Sequence, residues 1–164
     1  MTKVRENTIS MLVRNKPDVL ARIAGTFSGR GFNIESISAN ITINPEVTRI
    51  IITTIGNKAT VEKLMKQLDR LIDIMHVDDL TGKEAAKREM LLIRMNIKDD
   101  KKEALMKIVN TYNWRIVRLD NGYFTLEITG AKDDIDGALS LLEPLGIDDY
   151  SRTGTVALEK RNMI

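Results

Sequence analysis

Apolar residues along this chain alternate between strand-like and helix-like spacing, and the alternation runs through twice. Residues 8–13 (TISMLV) form a β-rich apolar run, read as a strand. Val19, Leu20, Ile23, Ala24 and Phe27 then recur at helical spacing and predict a helix over residues 17–30 with one apolar stripe. Pro17 suits its first turn, where a missing N–H has no partner to lose. Gly29 and Gly31 are expected to end it through left-handed backbone. Residues 33–43 alternate, with Ile34, Ile37, Ala39, Ile41 and Ile43 among polar neighbours and a break of phase near Ser36. Asn44-Pro45-Glu46 marks a turn, and 47–55 (VTRIIITTI) is β-branched almost throughout. Val61, Leu64, Met65 and Leu68 share one face of a helix over 60–70, and 71–77 reads as a fourth strand. The order is βαββαβ. The polar stretch 80–89, which carries a glycine, reads as a linker.

The second half repeats the first. Strands are predicted over 90–97, 114–119 and 123–129, with helices over 101–112 and 133–142. One or two short strands fall within 147–158. Asn121-Gly122 is a strong hairpin signal, because both residues tolerate positive φ. Ile23, Phe27, Phe32, Ile34 and Ile37 map onto Leu105, Val109, Trp114, Ile116 and Leu119, each 82 positions later. Gly56, Val61, Met65 and Leu68 map onto Gly130, Ile135, Leu139 and Leu142, each 74 positions later. The two offsets differ by eight, and the difference falls in one hairpin, where a duplicated unit tolerates it. The fold class is therefore α+β: two tandem βαββαβ, ferredoxin-like units, each an antiparallel sheet with two helices on one face. Units of this size hold cores worth only ~3–5 kcal/mol. Their open edges favour pairing with another copy, so at least a dimer is expected.

Bulk composition changes little. With 43% hydrophobic and 29% charged residues the chain is ordinary for a globular protein, and a net charge of +2 does not by itself call for a polyanionic partner. No cysteine is present, so neither disulfide nor thiolate chemistry is available. No run approaches the ~20 apolar residues of a membrane helix, and the first ten residues lack a signal core. A cytoplasmic protein is expected.

Chemistry-bearing motifs are sparse. GTFSGRG, with Gly25, Gly29 and Gly31, lacks the Gly-Lys-Ser/Thr ending of a phosphate loop, and its first glycine lies mid-helix. His76 is the only histidine and has no cysteine to share a metal. Asp78-Asp79 and Asp133-Asp134 sit at a strand end and a helix start, where structural roles suffice. No catalytic set and no metal-ligand spacing stands out. Asn15 at the entrance to the first helix and Asn33 just past its exit are the more informative pair. If the flanking strands are neighbours, their amides mark a pocket for a small carboxylate near a helix N-terminus.

The segments SMLVRNKPDVLARIAGTFSGRGFNIESISA, TRIIITT, KQLDRLIDIMHVDDL, KREMLLIRM and SRTGTVAL resemble, in order and over nearly the whole chain, the regulatory small subunits of acetohydroxyacid (acetolactate) synthase. That resemblance implies an ACT domain over 6–79, a linker over 80–89 and a C-terminal ferredoxin-like domain over 90–160. It implies no catalysis in this chain. The partner would be a catalytic large subunit carrying thiamine diphosphate, Mg and FAD, which the small subunit activates and subjects to feedback by a branched-chain amino acid, usually valine. The effector would lie between paired ACT domains of a homodimer, against Asn15, Pro17, Asp18, Val19, Leu20, Asn33 and Ile34. Asn15 and Asn33 would hold its polar end, and Leu20 and Ile34 its side chain. No nucleic acid, membrane or metal is implied. Where the family usually has glycine this chain has Asp18, so a weakened valine response is expected. The alternative that the βαββαβ order leaves open is an RNA-binding module of RRM type, which needs aromatic side chains on its third strand.

Overall fold

The computed structural model describes residues 3–160. They fall into two units, one comprising the chain up to Ala86 together with the residues from Thr155 on, the other Lys87–Gly154. The first unit contains β1 (Arg5–Arg14), α1 (Val19–Ser28), β2 (Ser36–Ile41), β3 (Val47–Gly56), α2 (Lys58–Leu68) and β4 (Ile74–Asp79). β5 (Ala85–Asn96) leads into the second unit, followed by α3 (Asp99–Tyr112), β6 (Arg115–Asp120), β7 (Tyr123–Gly130), α4 (Lys132–Leu142) and β8 (Asp149–Arg152). A last strand, β9 (Val156–Glu159), pairs with β5.

The sheet orders are β2-β3-β1-β4 and β6-β7-β5-β8, with neighbours antiparallel. Each copy has the same order, so the repeat read from spacing is a repeat of topology. Burial follows it residue by residue. Ile23 and Leu105 are buried, as are Phe27 and Val109; Phe32 and Trp114 are half-buried; Val61, Leu68, Ile135 and Leu142 are buried. Strand alternation sends Ile9, Met11, Val13, Ile50 and Ile52 to the helix-covered face of the first sheet, where they meet Ile23, Phe27 and Leu64. The second core has the same plan, built on Leu91, Ile93, Met95, Leu126 and Leu105.

Several boundaries differ from the sequence reading, each for a local reason. α1 starts at Val19, because Pro17 and Asp18 form a turn ahead of it. Of its terminal glycines only Gly31 is left-handed (φ 70°), while Gly29 stays right-handed (φ −63°). Asn121 and Gly122 both take positive φ, as their hairpin requires. The expected linker is strand from Ala85 onward, and Glu89 within it is buried.

The tail also departs from a simple two-domain division. Ala157 of β9 packs against Ile51 and Leu80, on the face of the first sheet that its helices leave open. Lys83 bridges Asp78 (2.7 Å) and Glu159 (3.1 Å), and Lys160 bridges Glu84 (2.8 Å). This return depends on pairing across more than seventy residues, which the short pattern VALE cannot announce.

Candidate functional site

β1 and β3 run antiparallel with Arg14 opposite Val47, which carries the chain after β1 up against the turn before β3. The Asn15 N–H donates to the Glu46 carbonyl (2.8 Å), and its side-chain amide donates to the Pro45 carbonyl (2.9 Å). A cleft of about 560 Å³ opens there, lined by Arg14, Asn15, Lys16, Pro45, Glu46 and Met75 among others. Of these lining residues only Asn15 is marked as a site residue by the sequence. The signal was the Asn-Pro-Glu turn, which becomes part of the cleft only through the β1–β3 register.

A chain of charges fixes the loop. Asp73 is buried, with Lys16 (3.1 Å) and Arg22 (3.0 Å) on its two carboxylate oxygens. Arg22 also pairs with Asp18 one helical turn earlier. That hydrogen bond, helped by Asp18's own backbone N–H, holds the Asp18 carboxyl below the usual carboxylate range. A lowered folded value means the pair is intact at neutral pH and is lost as pH falls through that value. Asp18 stands at the N-cap of α1 yet makes no side-chain capping bond. Turned toward Arg22, it leaves N–H groups of the first turn uncapped, and such groups attract anions.

The other expected residues are dispersed. Pro17 is exposed beside Asp18, Leu20 is exposed on α1, and Val19 is buried in the core. Ile34 is half-buried against that core. Asn33 does not join Asn15. Its carbonyl accepts from Thr54 Oγ1 (2.5 Å) and its amide donates to Glu35 (3.0 Å). Thr54 lies eight positions along β3 from Glu46, so the two asparagines sit at opposite ends of the sheet, roughly 25 Å apart. β3 lies between β1 and β2, so the condition under which the two amides would mark one pocket within a single chain, that the flanking strands be neighbours, is not met.

Residues 9–76 match the model for an "AHAS small subunit-like ACT domain", and residues 88–161 match that for the "small subunit of acetolactate synthase". This chain belongs to the acetolactate synthase small-subunit family. The probable acetolactate synthase small subunit of Archaeoglobus fulgidus is 37% identical over 96% of this chain and 98% of its own. The small subunit of Aquifex aeolicus is 36% identical over 99% of this chain and 85% of its own. The crystal structure of the Thermotoga maritima acetolactate synthase small subunit superposes with a TM-score of 0.86, at 33% identity over 97% of this chain and 99% of that one.

In this member of the family the first unit carries the ACT fold. Of the aromatic side chains that RRM-type stacking uses, β3 carries none, and in its counterpart β7 Phe124 is buried in the core while Tyr123 is exposed. Among the described residues no group of His, Cys, Asp or Glu is placed to hold a metal ion, and no helix is long and apolar enough to cross a membrane.

Proposed function

We propose that this chain activates a cytoplasmic catalytic subunit of acetolactate synthase and makes it responsive to a branched-chain amino acid, with valine the first candidate. The observation that carries this reading is similarity to small subunits along the full length of the chain, through both units. Thiamine diphosphate, Mg and FAD would reside on the catalytic subunit.

The effector site is proposed to need two copies. β2 is an edge strand, and Ile37 and Ile41 beside that edge are exposed by 39% and 61%. Two-fold pairing of β2 with its copy reverses the strand direction, so the start of one β2 meets the end of the other. Asn33 of the partner subunit then approaches the 44–46 turn, where Asn15 is anchored. The separation of Asn15 and Asn33 within one chain is what such a shared site requires. Asn15 and the uncapped start of α1 would take the effector carboxylate, with Pro17 and Asp18 at the rim. Leu20 and Ile34 would meet its side chain, while Val19 supports from the core.

Asp18 adds a carboxylate beside that anion. The like charges repel, and solvent together with the exposed pairing to Arg22 screens most of this. Asp18→Gly is therefore expected to tighten valine binding about fivefold. Calorimetric titration of both chains checks it; weaker binding by the glycine variant would defeat the role given to Asp18.

The function itself is tested by mixing the chain with its cognate catalytic subunit. Acetolactate formation should rise on mixing and fall again with valine, leucine or isoleucine. The chain alone should turn nothing over.

A further inference from the structure

The second unit carries a groove of about 670 Å³ between the end of α3 and the length of α4. Tyr112 and Trp114 wall one side, stacked at 5.1 Å with their planes 21° apart. Gly137, Ala138 and Leu141 of α4 lie along the other, and Asp133 stands at the rim. Tyr112 is 57% exposed and Leu141 38% exposed. Asp133 has no salt-bridge partner among the described residues, whereas Asp134 is occupied by the Ala131 N–H (2.8 Å). From Asp133 to Leu141 the groove follows eight residues of helix, about 12 Å.

The internal repeat supplies a control within the same chain. By the two offsets, Tyr112, Gly137 and Leu141 correspond to Arg30, Lys63 and Gln67. In the first unit Arg30 Nε donates to Gln67 Oε1 (2.7 Å), so a polar pair spans that place. The second unit has exchanged this pair for an exposed aromatic and an exposed leucine, and has put a glycine where the first has a lysine. Both copies fold with the same core, so core packing does not require the exchange. Exposed aromatic-apolar patches with a charged rim are characteristic of docking surfaces.

We infer that this groove docks an apolar, Lys- or Arg-bearing segment of the catalytic subunit, a reading that rests on the function proposed above. Three observations select that occupant. The trough runs along two turns of helix, which suits a peptide laid lengthwise. Its walls offer aromatic faces and an unpaired carboxylate, which together attract a cation. A free amino-acid effector would leave most of a trough of this length unfilled.

Gly137→Phe tests the inference, because a Cβ at Gly137 meets nothing within 4 Å and the new ring fills the trough without displacing the core. Titrated against the catalytic subunit, this full-length variant is expected to need about tenfold more protein for half-maximal acetolactate formation. Its valine binding by calorimetry should equal the parent's. Asp133→Lys should weaken the complex in the same direction without filling the groove, and it serves as the arbiter if the Gly137→Phe chain lacks native circular dichroism. If both folded variants, or Asp133→Lys alone where the other misfolds, activate at the parent's concentration, the groove is not the docking site. If the parent itself neither binds nor activates, the regulatory reading fails, and this inference falls with it.

Discussion

An Ala39→Pro chain is expected to sediment as a monomer and to lose valine binding by about a hundredfold or more, the scale of removing half of a bipartite site. β2 points its backbone N–H groups alternately inward and outward. Thr42 N–H donates inward to the Val47 carbonyl (2.8 Å). Alternation then turns the N–H groups of residues 38 and 40 toward β3 and those of 37, 39 and 41 toward the open edge. A proline at 39 removes one outward donor while leaving the bonds to β3 in place, which is where sheets tolerate proline. The core beneath is untouched, so circular dichroism and thermal unfolding should change little. A dimeric variant with parental valine affinity would exclude β2 as the pairing edge.

Glu89→Ala should destabilise the second unit by about 3–5 kcal/mol. Glu89 is buried on β5, and its carboxylate accepts from Arg152 Nε of β8 at 2.5 Å, with Arg152 also bridging Asp136 of α4 at 2.7 Å. Removing the carboxylate leaves the partly buried guanidinium with only the half-exposed Asp136 as its carboxylate partner and cuts the side-chain link between β5 and β8. A unit of this size has about that much stability in total, so its cooperative unfolding should disappear or move to far lower denaturant. Replacing both partners by apolar residues, Glu89→Met with Arg152→Met, should recover much of the loss, because the cost lies in a guanidinium that has lost its buried partner. Urea titration followed by circular dichroism measures both. A loss under 1 kcal/mol for Glu89→Ala would mean that water reaches Arg152 in the folded state.

Much of the architecture was legible because it is written in local periodicity. The pairs Ile23/Leu105 and Phe27/Val109 carry helical spacing in both copies, and the hairpin at Asn121-Gly122 carries its turn chemistry. What could not be read depends on partners far along the chain. Glu89 looked like one more polar residue in a linker, since Arg152 lies 63 positions away. Asn15 and Asn33 looked like neighbours because both flank one helix, yet the antiparallel register sends them to opposite ends of a sheet. The groove at Tyr112 was hidden for a similar reason. Helical spacing ranks α4 residues by core burial and is silent about the face turned toward the end of α3.

The return of β9 to Ile51 makes the second unit, topologically, an insertion into the first. A fragment ending at residue 86, the natural cut for anyone wanting the sensor alone, would lack Ala157 and bare Ile51 and Leu80 to solvent. Such a product is expected to clump on expression. Grafting residues 155–160 back after a short flexible bridge should restore a soluble, tractable sensor.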